Sequence, residues 1–280
     1  MFIKKMAAMA TLLISPLTFA DNILVVMSDV SEMTVKDGPV YSTGFYMSEL
    51  MEPVKLFLDE GHTLTFASPK GMAPTLDVNS DTLDYFNKDQ KYYNAHKSLL
   101  NKLMLTDSQH SPVVSFSRIE QMGIENFDAL FVPGGHAPMA DLVANDQLGQ
   151  FLIHFNKEGK ATGMVCHGPA ALLSALPNNA RFESDMKQGK KAKASSGWIY
   201  TDYDMTVFSN SEEALAEQYY LQGGQFFYTP QDALTYAGGD YKYNKQNWGK
   251  MVIVDRELIT GQNPASAVGV AEEMIKKLAP

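Results

Sequence analysis

The sequence predicts an α/β fold: a doubly wound, mostly parallel sheet with helices on both faces. Three observations predict it. Short apolar runs recur without polar alternation, as strands buried on both faces require. Helical patterns closed by glycine lie between them. No linker, internal repeat or low-complexity tract divides the 280 residues, so these units share one domain joined by right-handed crossovers.

The first twenty residues stand apart. Lys4 and Lys5 precede an uncharged apolar stretch, Met6 to Ala20, and Thr18-Phe19-Ala20 puts small residues at −3 and −1. That is the layout of a secretory signal peptide cleaved after Ala20. The stretch contains Pro16 and is shorter than the ~20 apolar residues of a membrane span. The expected organisation is a signal peptide over 1–20 and a single α/β domain over 21–280, exported to a bacterial periplasm.

Asn22 to Ser28 (NILVVMS) reads as the first buried strand, and Val54, Phe57 and Leu58 as one helix face ending at Gly61. His62 to Ser68 is the second strand. Gly71 to Pro112 then breaks the alternation; long and polar, with a helical centre at Tyr92 to Leu105, it reads as a lid or cap insertion over a site. Ala129 to Pro133 and Ala161 to Cys166 are further strands. Between them Leu148, Phe151, Leu152 and Phe155 form a helix face ending at Gly159. Lys187, Lys190, Lys191 and Lys193 mark a solvated loop before the aromatic cluster Trp198, Tyr200 and Tyr203. Met251 to Val254 is the last strand. Asn263-Pro264 supplies an N-cap and a first-turn proline to a closing helix lined by Val268, Ala271, Ile275 and Leu278.

Composition and negative results narrow the chemistry. Lys plus Arg total 23 against 32 Asp plus Glu, a net charge of −9, which argues against nucleic acid or an anionic membrane as partner. The single cysteine excludes an intramolecular disulfide and a Cys-rich metal site. No dinucleotide fingerprint, P-loop or H-E-x-x-H occurs. The six histidines (His62, His96, His110, His136, His154, His167) offer no pair at metal-ligand spacing on a helix face, so neither metal nor cofactor is expected. His136 reads as a loop residue near the pocket rim.

The positive signal is GMVCHGPAALLSAL, Gly163 to Leu176. A buried strand runs directly into Cys166 and a helix is expected straight after it. A nucleophile on such a turn projects from the carboxyl edge of the sheet, where open α/β folds bind ligands. The helix N-terminus would lower the thiol pKa, so an accessible, acidic thiol is expected. In DALFVPGGHAPMADL, Asp128 to Leu142, a second strand ends in Gly134-Gly135, whose backbone N–H groups could approach an oxyanion.

Together, FVPGGHAPMADL, VCHGPAALL and ITGQNPASA resemble the ThiJ/PfpI superfamily, on the flavodoxin-like sandwich of the class I glutamine amidotransferase fold. The branch is that of the glutathione-independent glyoxalases (glyoxalase III) and related heat-shock chaperones. The resemblance implies Cys166 as nucleophile, His167 as adjacent base and Glu49, in GFYMSELMEP, as a second acid. Glu213, in SNSEEALAE, is the third triad member, with Glu212 the alternative under a one-residue shift. The backbone N–H groups of Gly135 and His167 form the oxyanion hole, and Pro74, Asp77 and Ser80 match a P-x-x-D-x-x-S stretch. What it implies functionally is conversion of methylglyoxal, a small 2-oxoaldehyde, to lactate without a cofactor, with deglycase activity alongside, by a homodimer. A periplasmic holdase binding unfolded proteins, a cysteine peptidase or amidase, and a thiol oxidation sensor are the competing readings. Glutamine amidotransferase chemistry is excluded because no histidine follows His167.

Overall fold

The computed structural model describes residues 20–193, 196–221 and 223–279. Apart from Ala20, the signal-peptide segment lies outside the described residues. Seven strands form the central sheet: β1 (Asn22–Val26), β2 (Thr63–Ser68), β3 (Val114–Ser115), β4 (Ala129–Val132), β5 (Ala161–Val165), β6 (Val252–Asp255) and β7 (Leu258–Gly261). Their spatial order is β6-β7-β5-β4-β1-β2-β3, and every neighbouring pair is parallel except the β6–β7 hairpin. The chain winds outward from β1 through β2 to β3, then returns to β1's other side with β4 and β5. Winding therefore reverses between β1 and β4, and the strand ends there open the crevice where such folds place their sites.

Successive side chains of β1 feed opposite faces. Ile23 and Val25 enter one core, Leu24 and Val26 the other, as the period-two pleat requires. The first core is closed by α1 (Met47–Asp59), α2 (Gln90–Lys102) and α5 (Ala267–Leu278), through Leu50, Val54, Phe57, Leu100, Val270 and Met274. The second is closed by α3 (Asp146–Glu158), whose Leu148, Phe151, Leu152 and Phe155 are all buried. A further helix, α4 (Asn210–Tyr220), runs along the site. Among the described residues no helix is long and apolar enough to cross a membrane.

Several expectations are corrected. The segment after Cys166 is a 3-10 helix, Gly168–Ala175, not an α-helix. The strand near Met251 is the antiparallel edge, while ITG of the closing motif is an unforeseen strand, β7, paired in parallel with β5. Asn263 does not cap a helix; Pro264–Ser266 forms a 3-10 turn before α5, and the buried face of α5 centres on Val270, Ala271 and Met274. Leu58 is 37% exposed and lies off the apolar face of α1. The four lysines are exposed, but Trp198, Tyr200 and Tyr203 beside them are buried. Lys187 belongs to a helix, Asn179–Lys187.

Candidate active site

Cys166 follows β5 with φ +61°, a left-handed conformation rare outside glycine that costs about 1–3 kcal/mol. Two backbone bonds hold it there: its N–H donates to the Gly261 carbonyl and its carbonyl accepts from Phe208 N–H, both at 2.9 Å. The sharp turn sets Sγ 3.2 Å from Nδ1 of His167. Nε2 of His167 lies 2.9 Å from Oε2 of Glu213.

The start of α4 decides which of two adjacent glutamates faces the imidazole. Ser209 and Glu212 form a reciprocal capping box, which fixes the first turn. Glu212 then points away from the thiol, accepting from Trp248 N–H, Gln262 Nε2 and Asn263 Nδ2 at 2.8–2.9 Å. It ties the closing motif to α4, and Glu213 is left facing His167.

Glu49 arrives on the first turn of α1. Met47 N–H donates to Ser80 Oγ at 2.9 Å, and that hydroxyl donates to the Asp77 carbonyl at 2.6 Å, so the P-x-x-D-x-x-S stretch caps the helix that carries Glu49. The carboxyl is fully buried, facing the Cys166 thiol and the N–H groups of Gly134 and Gly135 without a well-aligned hydrogen bond. Both glycines are obligatory. A Cβ at Gly134 would lie 2.2 Å from Glu49 Oε2, and one at Gly135, where φ is +93°, 2.1 Å from the Gly44 carbonyl.

His136 is no rim residue. It is buried, with Nε2 3.2 Å from Glu213 Oε1 and its ring 4.2 Å from that of His167. Phe226 stacks on its far face at 4.6 Å. Its Nδ1 lies 3.4 Å from the Tyr41 hydroxyl, which donates to Asp77 at 3.1 Å. The only sequence signal for His136 was its place beside the double glycine; Tyr41 and Phe226 gave none.

The family described as ThiJ/PfpI family-like matches residues 40–242, a span holding Glu49, His136, Cys166, His167 and Glu213. The chain belongs to the ThiJ/PfpI family. A probable glutathione-independent glyoxalase of Schizosaccharomyces pombe is 26% identical over 92% of this chain and 98% of its own length. A protein/nucleic acid deglycase of Staphylococcus aureus is 24% identical over 88% of this chain and 76% of its own. Among solved structures, the 24 kDa rapid encystment protein of Francisella tularensis superposes with a TM-score of 0.70 at 24% identity, covering 93% of this chain and all of that one. Glyoxalase III of Candida albicans gives 0.67 at 18%, covering 91% and 96%. Both structures share the fold of this ThiJ/PfpI protein.

Burial dominates the electrostatics of this ThiJ/PfpI site. It pushes the Glu49 carboxyl up to about 8, against weaker stabilisation from Cys166, Gly134 and Gly135. Burial also pushes the Cys166 thiol up, and the charge of Glu49 adds to it, so the expected acidic, accessible thiol is overturned: the residue is 3% exposed and the α-helix that was to stabilise its thiolate is absent. Glu213 behaves oppositely. Its burial opposes ionisation, but His167 and His136 outweigh that and hold it down to about 2. Burial lowers the basicity of His167, against the pull of Glu213. An ionised Glu213 fixes Nε2–H of His167 and leaves Nδ1 with a lone pair towards the sulfur.

His136, His167 and Glu213 form the one cluster among the described residues with ligand atoms close enough, within 4.8 Å, to hold a metal. Their hydrogen bonds already engage both carboxylate oxygens. The chamber over the thiol, walled by Tyr46, Phe208 and Trp248 among others, is about 10 Å³, room for one water. It adjoins an open pocket of about 690 Å³, and Tyr85, Tyr220, Trp248 and Pro264 line both.

Proposed function

We propose that this protein is a glutathione-independent glyoxalase of the glyoxalase III type, converting 2-oxoaldehydes such as methylglyoxal to 2-hydroxy acids with Cys166 as nucleophile. The observation that carries the reading is the placement of one thiol between two different proton carriers: Nδ1 of His167 at 3.2 Å and the buried carboxyl of Glu49. Cysteine hydrolysis needs only the first. Isomerisation between adjacent carbons needs the second as well.

Sγ adds to the aldehyde carbon as its proton passes to Nδ1 of His167. The nascent oxyanion lies under the N–H groups of Gly135 and His167 and takes the proton that Glu49, raised to about 8, still carries at neutral pH. The hemithioacetal is then complete and Glu49 is a carboxylate. It removes the aldehyde-derived C–H, and the electron pair moves towards the ketone oxygen, which receives the proton held by His167. Glu49 delivers hydrogen to the former ketone carbon and recovers the hydroxyl proton as the thioester carbonyl forms. Water hydrolyses the thioester, releasing the 2-hydroxy acid and the thiol. The sum is one 2-oxoaldehyde plus one water.

Deglycase activity, a homodimeric assembly, and export to the periplasm after cleavage at Ala20 belong to the same proposal. The test is purified mature protein with methylglyoxal and no glutathione, with lactate measured. Wild type should form lactate and Cys166→Ala none. Absence of lactate from wild type refutes the reading.

A further inference from the structure

The chamber over the thiol has room for one water, so the part of a substrate beyond its reacting carbons must occupy the adjoining 690 Å³ pocket, whose size suits a small organic molecule. That pocket has a consistent chemistry. The rings of Tyr85, Tyr92, Tyr220 and Trp248 and the carboxyls of Glu52 and Asp84 line it, and among the described residues no Lys, Arg or His lines it. Glu52 lies one turn beyond Glu49 on α1 and is 7% exposed. Burial pushes its carboxyl up to about 7, against a hydrogen bond from the Tyr92 hydroxyl. Asp84, at the rim, pairs with an exposed Lys88 at 3.9 Å.

A nearly buried carboxyl facing aromatic rings with no cation in the wall is costly to ionise. A ligand cation would pair with it and also meet the negative ring faces. An anionic tail would meet two carboxyls, offset only at the rim by the exposed Lys88 beside Asp84. We propose that this pocket is a subsite for an organic cation, and that the preferred 2-oxoaldehyde carries an ammonium or guanidinium group on its tail. The identity of the reacting end rests on the glyoxalase reading; the cation subsite does not.

Choline and its neutral isostere 3,3-dimethylbutan-1-ol probe the pocket without a reacting group. By calorimetric titration wild type should bind choline about tenfold more tightly than the alcohol. Glu52→Gln should bring the two within about twofold, and Trp248→Leu, at a position 43% exposed, should reduce the preference while leaving both carboxyls in place. In turnover, the ratio of kcat/KM for 4-(trimethylammonio)phenylglyoxal over 4-tert-butylphenylglyoxal should fall in Glu52→Gln. Comparing that ratio between two proteins cancels the effect of the ammonium on the aldehyde itself. Equal affinity of wild type for choline and the alcohol, or a preference undiminished in both variants, overturns the subsite. A choline preference lost in Glu52→Gln, with no turnover of any 2-oxoaldehyde, supports the subsite and sinks the glyoxalase reading instead.

Discussion

Cys166 and Glu49 share one small buried volume; burial makes ionisation of both harder, and the charge of Glu49 raises the thiol further. Alkylation of Cys166 followed across pH should therefore titrate above the ~8.5 of a free cysteine, and Glu49→Gln should move the midpoint down by removing the nearby charge. A wild-type midpoint below 8.5 would contradict this. The same pair carries a stability cost. The folded-state value of Glu49 is about 8 against 4.5 for the free carboxyl, so its ionisation in the unfolded chain favours unfolding increasingly between those values. Glu49→Gln should raise the melting temperature at pH 7; a lowered one would show that the carboxyl is a structural partner. The sequence made Cys166, His167 and the double glycine legible because a buried strand ending in Cys-His and one ending in Gly-Gly are local patterns. The environment of the thiol was not legible, since desolvation and the approach of Glu49 are tertiary facts. His136 was misread for the same reason: Phe226 and Tyr41, far off in sequence, bury it.

At the scale of elements, two helix starts set the site. Ser80 caps α1, and Ser80→Ala should cost about 1 kcal/mol as cap losses do. Because α1 carries Glu49, kcat should fall by more than KM rises; unchanged kcat would separate the cap from the chemistry. On α4, Glu212 and Glu213 divide labour. Glu212→Gln should lower the melting temperature, since its carboxylate gathers Trp248, Gln262 and Asn263, whereas Glu213→Gln should lower turnover and flatten its pH dependence through His167. The reverse pattern would exchange their roles. The strands β1, β2, β4 and β5 were legible as continuous apolar runs. β3 has two residues, too few for any period, and β7 was hidden because it is four residues long and its ITG runs straight into the closing motif ITGQNPASA. The 3-10 segment after Cys166 has the composition of an α-helix, and only its packing against α3 and β5 distinguishes it.

For the whole molecule, buried carboxyls set the pH dependence of stability. Glu213 is held near 2, so its contribution, on the order of 3 kcal/mol, is present above the unfolded value of 4.5 and lost as pH falls towards 2. Glu49, Glu52 and Asp141 are raised to about 8, 7 and 6 and act in the opposite sense, eroding stability as pH rises from the unfolded values to those figures. The melting temperature should peak near pH 5 and decline towards pH 8, less steeply in Glu49→Gln; a maximum at pH 8 would contradict these burials. The sheet order places the thiol beside the switch point between β1 and β4; its place at the carboxyl edge was legible from the strand running into Cys166, whereas the strand order was not. What the alternation did not contain was the pairing of thiol and carboxyl that separates isomerisation from hydrolysis. Lactate formation by Glu49→Gln tests that pairing most directly. The expected result is a loss of ~10²-fold or more while Cys166 still reacts with an alkylating agent; lactate formed at the wild-type rate would contradict it.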